Sequence, residues 1–129
     1  MKFEDLKTAF PDATLETWHV HPNGGGWVEN TASVAETAYV GSEAVVSGSA
    51  SVSGYSSICG KAQVSGNARI SELACVYQES RVFGTARVFG TAQVYGNAMV
   101  YGKAMVFGDA MVYGKAMVFG GASPGRSGL

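Results

Sequence analysis

Residues 82–117 read VFGTAR, VFGTAQ, VYGNAM, VYGKAM, VFGDAM, VYGKAM, six versions of one six-residue word. In the same frame the word runs from Val28 to Ser123, sixteen times, with no residue inserted or lost. Its first place is always Val or Ile. Its fifth is Ala except at Ser56 and Ser80, and its third is Gly in eleven of the sixteen words. A short fixed period marks a solenoid, in which each repeat buries its apolar face only against its neighbours. The word itself says how the coil is built. A β-branched residue favours extended backbone and packs well on a pleated surface. Its neighbours on either side then point the opposite way, so the first place faces inward and the second and sixth face out. Gly at the third place permits the backbone angles of a tight corner. Ala at the fifth place suits a side chain directed into a narrow interior. Three words close a triangular coil of eighteen residues, and coils stack about 4.8 Å apart by parallel strand pairing.

Residues eighteen apart should therefore share a corner or a face. One corner reads Glu43, Lys61, Glu79, Asn97, Lys115, and charge alternates at its lower end as ladder neighbours prefer. The outward rows read Tyr77, Tyr95, Tyr113 on one face, Phe83, Tyr101, Phe119 on another, and Phe89, Phe107 on the third.

These words resemble those of the hexapeptide-repeat proteins, which fold as a left-handed parallel β-helix, and the resemblance covers residues 28–123. The left hand is implied by the resemblance alone, because the general rule for β crossovers favours the right hand. The expected fold is all-β: a left-handed parallel β-helix, a triangular solenoid of about five coils, with a short N-terminal helical cap. Residues 1–27 form the cap and lead-in, 28–123 the β-helix and 124–129 a loose C-terminal tail. The lead-in Trp18-His19-Val20-His21-Pro22-Asn23-Gly24-Gly25-Gly26-Trp27 is similar to those of long hexapeptide-repeat proteins of bacteria and phages, which carry a generic transferase label. In residues 1–27, Phe3, Leu6 and Phe10 have the spacing of one helical face and Pro11 ends the pattern. The expectation is a helix that covers the open first coil, with Trp18 and Trp27 sealing it.

A net charge of −1 argues against a general nucleic-acid or membrane-surface partner. Charge is uneven: residues 1–45 hold seven acids and two bases, and residues 61–126 hold seven bases and three acids. The charged N-terminus carries no secretory signal and no apolar run spans a membrane, so the cytoplasm is the expected location. Cys59 and Cys75 fall on one face in adjacent coils, diagonal to one another, and are expected as free thiols.

The outward places change character along the chain. Up to Ser71 they are small and polar. From Tyr77 the second place becomes Tyr or Phe, and the sixth passes to Met99, Met105, Met111 and Met117. Apolar surface on this scale marks an interaction site. Phe83, Phe89, Tyr95, Met99, Tyr101, Met105, Phe107, Met111, Tyr113, Met117 and Phe119 are the expected oligomer interface. The family commonly forms trimers of parallel columns, so the resemblance implies a homotrimer. The first functional expectation is a non-catalytic structural or interaction protein that assembles through this half, with itself or another protein as partner.

The second expectation is a binder of a small anionic or nucleotide-like ligand, held in clefts between protomers by Arg69, Arg81 and Arg87 beside Tyr77 and Phe89. The third is an acyltransferase. Enzymes of the resembled family use a His as general base near a loop thrust from the coil; here the repeat holds neither His nor extruded loop. His19 and His21 of the lead-in are the catalytic candidates that remain. The zinc-binding branch of the family uses three histidines, more than one chain has here. No metal and no cofactor is expected.

Overall fold

A computed structural model describes residues 1–120. The tail expected over 124–129, and the last residues of the sixteenth word, lie outside the described residues. From Val28 onward, the sixth-place residue of one word and the first-place residue of the next make a two-residue strand, and a two-residue turn follows. Strands eighteen residues apart pair in parallel, as in Val28 with Val46, Val46 with Val64 and Val64 with Val82. They build three sheets, one for each side of the coil. The first sheet carries Trp27–Glu29, Val45–Val46, Gln63–Val64, Arg81–Val82, Met99–Val100 and Met117–Val118. The second carries Ser33–Val34, Ser51–Val52, Arg69–Ile70, Arg87–Val88 and Met105–Val106. The third carries Tyr39–Val40, Ser57–Ile58, Cys75–Val76, Gln93–Val94 and Met111–Val112. The chain is thus a parallel β-solenoid of about five coils with the eighteen-residue wrap that the word predicts.

The core is a column rather than a centre. First-place Val and Ile and fifth-place Ala from Ala38 to Val118 are buried, nearly all without any exposure. Each buried Val or Ile stabilises by about 1.5–3 kcal/mol. The two exceptions at the fifth place are also buried, and their hydroxyls are satisfied locally. Ser56 donates to the Ser53 carbonyl at 2.8 Å, and Ser80 to those of Tyr77 at 2.8 Å and Val94 at 3.2 Å. A buried hydroxyl without such partners would destabilise the column by about 1–3 kcal/mol.

The corners decide how closely coils stack. At Gly84, φ is +71°, and a Cβ there would lie 2.7 Å from the Gly102 amide nitrogen of the next coil. Thr85 ties the same two coils, its Oγ1 donating to the Gly102 carbonyl at 2.8 Å. Two corners hold this left-handed conformation without glycine, Glu72 at +59° and Gln78 at +60°. Gln78 has a compensation: its Oε1 accepts the Gly96 amide at 2.8 Å.

The N-terminal segment departs from expectation in where it packs. Helix α1 (Phe3–Ala9) forms as the spacing predicts, with Leu6 fully buried. It lies against the outer side of the first sheet, not over the open coil. Leu6, Ala13, Trp18, Trp27 and Val45 make a cluster separate from the column, with Phe3 and Phe10 packed against it. The cause is in the register: Trp27 and Val45 are ladder partners, and both occupy the outward sixth place. Together they give the first sheet an apolar outer patch that the helix covers. Phe3 meets Trp27 and Phe10 meets Trp18 at ring-centroid distances of 5.8 and 4.9 Å. The coil's open end is closed by backbone instead. Strand β1 (Trp18–Val20) pairs antiparallel with β2 (Trp27–Glu29), covering the edge of the first sheet. The turn between them covers the edge of the third: Val40 N donates to Asn23 O at 3.0 Å, and Gly26 N to Val40 O at 2.9 Å. A Cβ at Gly26 would stand 2.4 Å from the Gly41 carbonyl oxygen, so only glycine lets the backbones approach this closely.

Replacing Gly84 by Ala should therefore destabilise the protein by about 1–3 kcal/mol in a denaturant titration. Gly114→Ala should destabilise it less. Gly114 has φ +64°, but no atom of the described residues lies within 4 Å of an added Cβ, so the difference between the two variants reports the crowding between coils.

Candidate functional site

The outward rows are where a solenoid acts, and the aromatic rows are continuous. Tyr77, Tyr95 and Tyr113 stack on the third sheet at centroid spacings of 5.0 and 5.4 Å, with planes 9° and 15° apart. Phe83, Tyr101 and Phe119 do so on the first sheet at 5.0 and 5.3 Å, and Phe89 and Phe107 on the second at 5.4 Å. Each ring thus covers its neighbour's face and turns its edge outward. Exposure grows toward the last coil, reaching 51% at Met117 and 55% at Phe119. Met99, Met105, Met111 and Met117 stand in the sixth-place rows of the same three faces. Two further exposed apolar residues, Tyr55 and Leu73, follow one another eighteen residues apart on the corner between the second and third sheets. The sequence reading missed them because polar residues elsewhere fill that fourth place.

The five residues expected to bind a ligand do not share a face. Arg69 and Arg87 are ladder partners on the second sheet, and with Ser71, Glu72 and Phe89 they line a depression of about 260 Å³. Arg81 lies on the first sheet, between Gln63 and Met99. Tyr77 lies beside the third, where its hydroxyl donates to Gln93 Oε1 at 3.1 Å. Ser71 and Glu72 were absent from the sequence-based set. A shallower groove of about 420 Å³ follows the corner of Lys61, Glu79 and Asn97, the register that the charge ladder predicts. Glu43 of that corner takes the N-terminal ammonium at 2.5 Å, the one ion pair among the described residues.

The two histidines are both held. His21 is 3% exposed, and its Nε2 donates to the Ala38 carbonyl at 2.8 Å, where Asn23 Nδ2 also donates at 3.1 Å. His19 is exposed at the mouth of the coil, with Nδ1 2.6 Å from Asn30 Oδ1. Among the described residues, no three His, Cys, Asp or Glu side chains gather as a metal site. No helix among them is long and apolar enough to cross a membrane.

Cys59 and Cys75 are free and half-buried on the third face, as their register predicts. Burial pushes the Cys59 thiol above its ordinary pKa, and the Cys75 thiol nearby adds to the shift. Tyr77 is raised too, first by burial and then by Tyr95 and the two cysteines.

The fold and its outward rows define a β-solenoid repeat protein. Residues 62–78 and 92–108 match the family model described as the YdcK Beta solenoid repeat, each stretch just short of one coil. No curated protein and no solved structure is matched by the chain.

The Cys59 environment gives a direct test. The rate of Cys59 alkylation should rise with pH along a curve displaced upward from that of the denatured chain. Cys75→Ser should bring the curve only part of the way back, because burial is the larger cause.

Proposed function

We propose that this solenoid is a non-catalytic structural or interaction module that assembles with copies of itself through its C-terminal half. The observation that carries the reading is the set of stacked aromatic rows with flanking methionines between Tyr77 and Phe119. Stacking covers the ring faces but leaves the edges and the thioethers at the surface. Methionine sulfur packs favourably against aromatic edges, so a surface alternating Met and ring edge is complementary to another of the same kind. A second copy also brings the same coil repeat of about 4.8 Å, so rung meets rung along the whole contact. The unbroken six-residue period supports kinship with hexapeptide-repeat proteins, and a closed trimer of parallel columns is the arrangement we favour. An acyltransferase reading has less support, since His21 is buried against Ala38 and His19 is engaged by Asn30.

Parallel columns set like-charged halves side by side, acidic at the start and basic further on. Salt screens such repulsion between exposed charges over about 10 Å at 0.1 M. Light scattering should therefore give a mass of three chains that persists to lower protein concentration as salt rises. The double variant Met117→Ser with Phe119→Ser should shift the mass toward one chain at concentrations where the parent protein stays assembled. A parent protein of one-chain mass at every concentration would overturn the reading, and a mass that grows without limit would replace the trimer with a filament.

A further inference from the structure

Each aromatic row has a first rung, and beneath one of them lies a slot with charge beside it. On the outer side of the second sheet the second-place row runs Ala35, Ser53, Ser71, Phe89, Phe107. Phe107 covers one face of Phe89, with the planes 12° apart. The other face of Phe89 looks toward Ser71, one coil away at about 4.8 Å. Ser71 has too little side chain to cover it, and the depression of about 260 Å³ lies there. A planar group entering over Ser71 extends the stack that Phe107 begins.

Two guanidinium groups flank this slot. Arg69 precedes Ser71 by two residues and Arg87 precedes Phe89 by two, and the arginines are direct ladder partners. Like charges directly opposite in a ladder repel, and neither arginine has a salt-bridge partner among the described residues. No ion pair among the described residues offsets this repulsion, although the Glu72 carboxylate stands at the rim, and an anion between the two forks relieves it. Each fork offers five N–H donors in a plane suited to bidentate contact. Two forks suit the several oxygens and higher charge of a phosphate better than a single carboxylate. Glu72 closes the rim. It holds a left-handed corner conformation at a place that is usually glycine. Unlike Gln78, it has no side-chain hydrogen bond within the described residues to offset the strain. Strain of this sort gathers at functional sites, and this carboxylate is placed to accept from ligand hydroxyl or N–H groups.

The other two faces serve as internal controls. On the first sheet the first rung, Phe83, stands over Ser65, but the residues beside them are Arg81 and Gln63, a single fork. On the third, Tyr77 stands over Cys59 beside Cys75 and Ser57, with no cation. The second face alone joins an open ring to two guanidiniums.

We propose that Arg69, Ser71, Glu72, Arg87 and Phe89 form a binding site for a nucleoside monophosphate, its base stacked on Phe89 over Ser71 and its phosphate held between Arg69 and Arg87. Phe89 and Arg87 stand two residues apart, about 6–7 Å along an extended chain, a separation that a nucleotide spans between base and 5′-phosphate. All five residues belong to one protomer, so the site does not rest on assembly.

Calorimetric titration with AMP, adenosine and inorganic phosphate tests the proposal on the whole protein, with light scattering on the same samples to record assembly separately. AMP should bind, with adenosine and inorganic phosphate each weaker by about tenfold or more, since each makes only half of the contacts. Arg69→Ala and Arg87→Ala should each weaken AMP by about tenfold or more, as loss of charge-assisted bonds does. Arg87→Lys should also weaken it, because charge remains but the fork is lost. Arg81→Ala should leave AMP binding unchanged. The Arg87→Ala protein should melt no lower than the parent, because a like-charge neighbour has been removed; lost binding is then not lost folding. Absence of AMP binding by the parent protein, inorganic phosphate binding as well as AMP, or equal effects of Arg81→Ala and Arg87→Ala would each overturn the proposal.

Discussion

The close approach of backbone to backbone at the corners is the constraint on which the rest of the structure depends. At Gly66 and Gly84 an added Cβ would stand 2.9 and 2.7 Å from the amide nitrogen of the corner above. Coils can reach strand-pairing distance on all three sides only if the corners between those sides pass equally close. Where a corner does carry a side chain, at Glu72 and Gln78, the corner above is glycine and the coils still pair, Leu73 N donating to Gly90 O and Glu79 N to Gly96 O at 2.9 Å. The word can vary widely at its second, fourth and sixth places because its first, third and fifth set the spacing.

That spacing turns a sequence period into straight rows. Any residue type recurring every eighteen positions becomes a ladder at the pitch of strand pairing, and its properties add along one line. Valine and alanine become a core column, Thr31 and Thr85 become clasps onto the carbonyls of Gly48 and Gly102, and tyrosine and phenylalanine become stacks. The same geometry makes any break in a row conspicuous. The change from Ser71 to Phe89 is a single step in its row, and it leaves one ring face without a neighbour.

The coil, its wrap and the composition of each face were legible in the sequence because a period without insertions assigns every residue a place. The grouping of Arg69 with Arg87 followed from that assignment, as did the separation of Cys59 from Cys75 by one rung and one diagonal. The N-terminal segment was legible only in part. Phe3, Leu6 and Phe10 specify a helix with one apolar face, but not the surface that receives it. That surface depends on Trp27 and Val45, two apolar residues eighteen apart at an outward place, a pairing hidden when Trp27 is read as lead-in rather than as part of the first coil. The role of the lead-in glycines was hidden as well: Gly24 and Gly26 are needed by the carbonyls they approach, not by the turn alone. Glu72 escaped notice because its strain is a property of the corner, invisible in a residue that is ordinary in itself.

The boundary between the serine-rich and aromatic halves is therefore the chemically distinctive part of the molecule. Within the aromatic half, rings satisfy one another face to face and show a partner only their edges. Within the serine-rich half the second-place rows hold no ring. At the junction a ring meets a serine, and an aromatic face is presented along the column axis rather than away from it. A flat group enters such a place edge-on, between rungs, and must be held from the side. On the second face the side is lined by Arg69 and Arg87, like charges one ladder step apart whose repulsion a shared anion would relieve. The repeat that makes the column rigid thus fixes, at its one change of composition, the distance between a stacking surface and a pair of positive charges.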